Sequence, residues 1–160
     1  MSRVFVQSRN GNTRASNPAT LGGGATDLHL IYEGLSRVDA DAVMAGATTA
    51  RSERLVFSVW HPELVRLRAQ LGRDRHPAQI VVTNRGNLAI ERGLMFQVPE
   101  LRVYIVARSA ITGSLRARVR EKAWIEVVDA GDPLSLTTAL SALDARGLHV
   151  ISAIGRQRPQ

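Results

Sequence analysis

Residues 35–51, LSRVDADAVMAGATTAR, join the end of an amphipathic helix to a short apolar strand, Ala42 to Ala45, and then to a Gly-Ala-Thr-Thr turn. A buried strand that runs straight into glycine and hydroxyl residues presents backbone N–H groups at its carboxyl end, a favourable place for a phosphate. Taken by itself the pattern leaves two readings open, an anion pocket and a simple change of chain direction.

Upstream, VFVQ at 4–7 reads as a first strand, followed by polar residues 8–17 with an Asn10-Gly11 turn and by the glycine-rich loop Gly22-Gly23-Gly24. Thr26 or Asp27 can cap a helix whose Leu28, Ile31 and Leu35 share one stripe. Downstream, Pro62 starts a helix with Leu64, Leu67 and Leu71 on one face and Gly72 beyond its end, and QIVVT at 79–83 is a third strand closed by Asn84-Arg85-Gly86. LRVYIVA at 101–107 is a fourth strand, residues 114–121 a short basic helix, and WIEVV at 124–128 a fifth strand. Asp132-Pro133 reads as an N-cap with proline at the first helical position, leading a helix with Leu136, Leu140 and Leu143 on its core stripe and Gly147 as terminator. LHVISAI at 148–154 is the sixth strand and runs into Gly155.

Strands alternating with helices predict an α/β fold of three layers, a mostly parallel sheet covered on both faces. Ligands of such sheets bind at the carboxyl ends of the strands. The 160 residues, 44% hydrophobic, suit one domain over the whole chain, 1–160. No apolar run is long enough to span a membrane and the first residues do not form a secretory signal, so the expectation is a cytoplasmic protein with no membrane partner. There are no cysteines, and the four histidines are not spaced as metal pairs, so no metal is expected.

The formal charge of +7 favours anionic partners. Of the 21 basic residues only Lys122 is lysine, a bias that reflects composition more than selected contacts, and the basic clusters lack interleaved aromatics; nucleic acid is therefore not the expected partner. P-loop, nucleophile-elbow and Cys–His signatures are missing. What recurs is a polar or glycine residue after a strand, at 8–11, 46–49, 83–85 and 155, rich in donors but without a nucleophile or carboxylate pair. That suits hydride transfer, in which a cofactor supplies the reacting atom and the protein fixes distance and angle.

These residues resemble the dihydrofolate-reductase-like reductases of riboflavin biosynthesis, whose pyrimidine reductase domain reduces a phosphoribosylamino-uracil with NADPH. Ser8-Arg9-Asn10-Gly11 is similar to the family's S-x-D-G, and residues 41–51 to its DA-apolar-apolar-x-G-x-G-T-x-R segment. QIVVT at 79–83 resembles the strand before the 2′-phosphate loop, and GLHVISAIG at 147–155 the strand before the Gly-Gly phosphate turn. The resemblance implies NADPH phosphates against Gly46, Thr48, Thr49 and Gly155, and the 2′-phosphate near Thr83, Asn84 and Arg85. It implies a small heterocyclic substrate, pyrimidine- or pterin-like, oriented by Asn10 and Ser8 and contacted by Arg51 and Glu53. Asn10 stands where the family carries aspartate, Thr48 where it carries glycine, and Trp60 where the pathway enzymes carry arginine. Family members continue past the Gly-Gly turn into a further helix and strands that contribute to a homodimer. The expectation is thus a shortened reductase domain with an open sheet edge that invites a second copy. The alternative is a non-catalytic nucleotide-binding or dimerising module.

Overall fold

The computed structural model describes Gly34 and residues 37–154. The strand at 4–7, the glycine-rich loop, Leu28, Ile31 and Leu35 of the first helix stripe, the candidate residues Ser8 and Asn10, and Gly155 lie outside the described residues. Within them are the strands β1 (Ala42–Gly46), β2 (Ala78–Thr83), β3 (Val103–Ala107), β4 (Ile125–Asp129) and β5 (Ile151–Ile154). The helices are α1 (Ala47–Ala50), α2 (Pro62–Gln70), α3 (Ser109–Arg118) and α4 (Leu136–Asp144), with a 3-10 turn at Leu94–Phe96. The strands form one sheet in the order β4-β3-β2-β1-β5, and every pair is parallel.

Alternation along the strands builds the three layers. Val43, Ala45, Val81, Val103, Ile105, Ala107, Ile125 and Val127 point to one face, where Leu115 of α3, Phe57, Leu88 and Phe96 cover them. Ala42, Ile80, Tyr104, Val106 and Val128 point to the other, beneath Ala139 and Leu143 of α4. Because both faces are covered, β3 is buried at all of its positions, which is why VYIVA is apolar throughout. The predicted α/β three-layer architecture, a parallel sheet with helices on both sides, is the one observed.

Several predicted details are corrected. The helix placed at 114–121 starts at Ser109, directly after β3. Its polar first half is accommodated because Thr112 Oγ1 donates to Ser109 O (3.0 Å) and Ser114 Oγ to Ile111 O (2.9 Å), local bonds made inside the helix. Asp132-Pro133 does not cap α4. That peptide is cis and sits in a turn where Gly131 has φ +85°, and the cap is Ser135, whose Oγ accepts from Thr138 N–H at 3.3 Å. The buried stripe of α4 is Ala139 and Leu143, while Leu136 and Leu140 are exposed. Burial of Leu143 contributes about 2–3 kcal/mol.

The same shift occurs on α2. Leu67 and Leu71 are exposed, and the side chain that α2 buries is Arg68, 2% exposed. Its Nη1 donates to the carbonyls of Arg37 (2.8 Å), Val38 (3.0 Å) and Ala40 (2.7 Å), and its Nε to Asp74 O (2.6 Å). A guanidinium suits this place because carbonyls clustered at a chain turn before β1 carry partial negative charge and need donors. Nearby, Gln79 is fully buried in β2 and holds the chain crossing beside it: its Oε1 accepts from Phe57 N–H (2.8 Å) and its Nε2 donates to Phe57 O (2.7 Å). Asp41, just before β1, accepts the N–H groups of His149 (2.9 Å) and Val150 (2.7 Å), which pins the entry of β5 to that of β1, and it is also bonded by Arg73.

Candidate functional site

Parallel strands place all their carboxyl ends on one rim. Register makes this rim level: Gly46 lies opposite Val82, Thr83 opposite Ala107, Ala107 opposite Asp129, and Ala45 opposite Ile154. From β1 the chain proceeds strand by strand toward β4 and then returns to the far side of β1 as β5, so the direction of winding reverses between β1 and β5. A crevice outside the strand ends at such a reversal is the usual ligand position in open α/β sheets. Gly46 sits there, followed by the single helical turn α1, and Ile154 ends β5 beside it.

Gly46, Thr48 and Thr49 thus stand together at the head of β1. Gly46 is exposed, and a Cβ built on it would meet nothing within 4 Å, so backbone there is open to approach. Thr48 is exposed and its Oγ1 accepts from Arg51 Nη2 at 3.2 Å, which folds Arg51 back over α1. Glu53 follows on the same connection and pairs with Arg92 (3.2 Å); both side chains are at least half exposed.

At the head of β2, Thr83 is buried and braces the turn: its Oγ1 accepts from Gly86 N–H at 3.0 Å. Gly86 adopts φ +68°, a conformation that side chains resist, and a Cβ there would touch Ile111 and Leu115 of α3 at 3.5 and 3.6 Å. The turn therefore seats tightly on α3 and sends Asn84 and Arg85 into solvent. They line a cleft of about 620 Å³ with Arg108, Ile111, Pro133 and Leu134. Its far wall is built by the junction of β3 with α3, tied to the turn after β4 through Ser109 N–H to Gly131 O (3.1 Å) and Ser109 Oγ to Asp129 (2.6 Å). The hydroxyl of Ser109 and the N–H of Gly131 hold the Asp129 carboxyl below its ordinary pKa, so it stays ionised and keeps this junction closed.

The rim brings together two groups of predicted residues, Gly46, Thr48, Thr49, Arg51 and Glu53 after β1, and Thr83, Asn84 and Arg85 after the adjacent β2. Ser8, Asn10 and Gly155 lie outside the described residues. Sequence reading missed Arg108, the second arginine of the cleft. The signal was its place immediately after a buried strand, the same signal that marked Arg85, but the helix that follows was set five residues too late.

Trp60 belongs elsewhere. It stacks on the Arg37 guanidinium (5.2 Å), and the neighbouring Ser58 and Val59 bond His76 and Arg75 ahead of β2, so this segment runs along the amino end of the sheet. Trp124 precedes β4 and lies at that end too. Among the described residues no helix is long and apolar enough to cross a membrane.

No protein-family model matches the chain, and no curated protein matches it. Among solved structures, a pyrimidine reductase-like protein from Corynebacterium diphtheriae superposes with a TM-score of 0.67 at 24% sequence identity. The match covers 95% of this chain and 63% of the other, so this chain spans less than two thirds of that protein's length. The chain has the three-layer, dihydrofolate-reductase-like α/β fold of that pyrimidine reductase-like protein.

Proposed function

We propose that the chain is an NADPH-dependent reductase domain acting on a pyrimidine- or pterin-like heterocycle, as the riboflavin-pathway reductases do. The observation that carries this reading is the rim itself: an open glycine and two threonines at the winding reversal and, at the end of the adjacent strand, a cleft that holds two exposed arginines. The residues fit an elongated phosphorylated cofactor. Arg85 and Arg108 offer two planar forks for a phosphate dianion, which selects NADPH over NADH. Ile111, Pro133 and Leu134 offer the apolar wall that a purine ring needs. Gly46, Thr48, Thr49 and Gly155 serve the diphosphate, and the bound cofactor supplies the hydride.

The protein's own share is binding, orientation and exclusion of water. Ser8 and Asn10 orient the heterocycle, Asn10 through an uncharged amide that donates and accepts but carries no proton for transfer at neutral pH. Arg51 and Glu53 reach substrate by exchanging their present partners, Thr48 and Arg92. Exposed contacts of this kind are worth about 0–1 kcal/mol, so the exchange is inexpensive. The domain works as a homodimer.

A second reading, a nucleotide-binding module without turnover, is favoured by the exposed backbone and arginines of the rim, which suit binding by themselves. Calorimetric titration with NADPH and NADH, followed by NADPH oxidation in the presence of reducible pyrimidines and pterins, separates the two. Micromolar NADPH binding with turnover supports the reductase, and binding without turnover the module. Absence of NADPH binding removes both.

A further inference from the structure

We infer that the open edge of β4 is a docking strand for an acidic, extended segment of a partner protein. β4 ends the sheet, and among the described residues no strand pairs with its outer side. Trp124 O accepts from Val103 N–H and Ala130 N–H donates to Ala107 O, so the even-numbered residues of β4 face β3. Ile125, Val127 and Asp129 direct their backbone groups outward. The Ile125 N–H is taken by Lys122 O and the Val127 carbonyl is touched by Arg116 at 3.4 Å, which leaves the N–H groups of Val127 and Asp129 and the Ile125 carbonyl on the open side.

A groove of about 400 Å³ runs along this edge. Val119, Ile125 and Val127 form its floor, and Arg116, Arg120, Lys122 and Arg146 stand around it with Glu126 as the single carboxylate, four cations against one anion. Glu126 is already neutralised by Arg146 at 2.6 Å. An edge with outward donors, apolar floor and cationic walls has the features that strand addition uses: main-chain bonds give affinity, and alternate side chains of the incoming segment meet floor and walls. Charge decides the occupant. A second copy brought edge to edge sets cation against cation, while a segment alternating acidic and apolar residues is complementary.

The test uses the full chain and a fluorescein-labelled peptide alternating valine with glutamate, with a valine–lysine peptide and oligodeoxythymidylate as comparisons. Expected are saturable binding of the acidic peptide that weakens with salt, slowed amide exchange at Val127 and Asp129, and roughly tenfold weaker binding by Arg120→Glu, an exposed substitution outside the folded core. No binding of the acidic peptide overturns the proposal. So does equal binding of the basic peptide, displacement by the oligonucleotide without exchange protection, or protection of the same amides by self-association of the chain alone.

Discussion

Replacing Arg68 by methionine removes a side chain of similar length from a fully packed site and with it all the donors that four backbone carbonyls share. The guanidinium offers one hydrogen on Nε to Asp74 O and two on Nη1 to the carbonyls of Arg37, Val38 and Ala40, so three hydrogens serve four acceptors. A buried acceptor left without a donor costs about 1–3 kcal/mol, giving a gross loss of roughly 3–9 kcal/mol over three bonds. Part is returned, because methionine carries no charge to desolvate; burial is the main reason the Arg68 pKa lies below its ordinary value. Water can also reach the carbonyl of Asp74, an exposed residue. A net destabilisation of about 3–4 kcal/mol is expected, a large share of the roughly 5–15 kcal/mol available to a domain. Urea unfolding followed by tryptophan fluorescence measures it, and Arg68→Lys, which keeps the charge without the fork, should fall in between. Leu71→Ser on the same helix should cost less than about 0.5 kcal/mol, since Leu71 is 49% exposed. A loss below about 1 kcal/mol for Arg68→Met, or a larger one for Leu71→Ser, refutes the account of how α2 is held.

His76 gives a pH dependence of definite sign. Burial first, then the charges of Arg75 and Arg68, depress its pKa below the ordinary 6.5, so the unfolded chain binds more protons than the folded one in acid. Stability contributed by neutral His76 is present above pH 6.5 and lost as pH falls through the depressed folded value; melting curves across this range should show the loss, and His76→Gln should flatten it. Gly86→Ala forces a side chain into the left-handed region and should cost about 1–2 kcal/mol by denaturant titration. Arg108→Ala should weaken NADPH binding about tenfold while leaving NADH unchanged, as charge-assisted bonds to the 2′-phosphate are lost. Equal weakening of both cofactors would place Arg108 away from that phosphate. Gln79→Leu should lower stability by about 2–4 kcal/mol, because two buried backbone groups of Phe57 lose their partner together.

The strands were legible because β-branched runs such as VYIVA and QIVVT must be buried on both sides, and their alternation with helices implies parallel pairing. Helix faces were less legible. Leucine spacing placed Leu143 correctly in the core but also Leu67 and Leu71 on α2 and Leu136 and Leu140 on α4, which the fold turns to solvent, since alanine joins Leu143 against the sheet on α4 and an arginine satisfies carbonyls on α2. Neither choice is visible to a rule that ranks side chains by hydrophobicity. The cap of α4 was misplaced because Asp-Pro is as good a turn as it is a helix start, and Gly131 with its positive φ settles the matter only in three dimensions. At the rim, Gly46 and Arg85 could be found from their position after strands, and Arg108 could not, once α3 was begun too far along the chain.

The brace at Asp41 spans 108 residues to reach His149. Contacts that distant close late, because the loop between them must first be organised. β5 pairs with β1 over only four residues and leaves its side chains part-exposed, so among the described residues one wall of the crevice is also the strand with the shortest pairing. Any molecule that bridges Gly46 to the end of β5 therefore acts as a clasp: its binding free energy adds to the strand's own docking, and occupancy should be readable as slower local opening of that strand before any chemistry is observed.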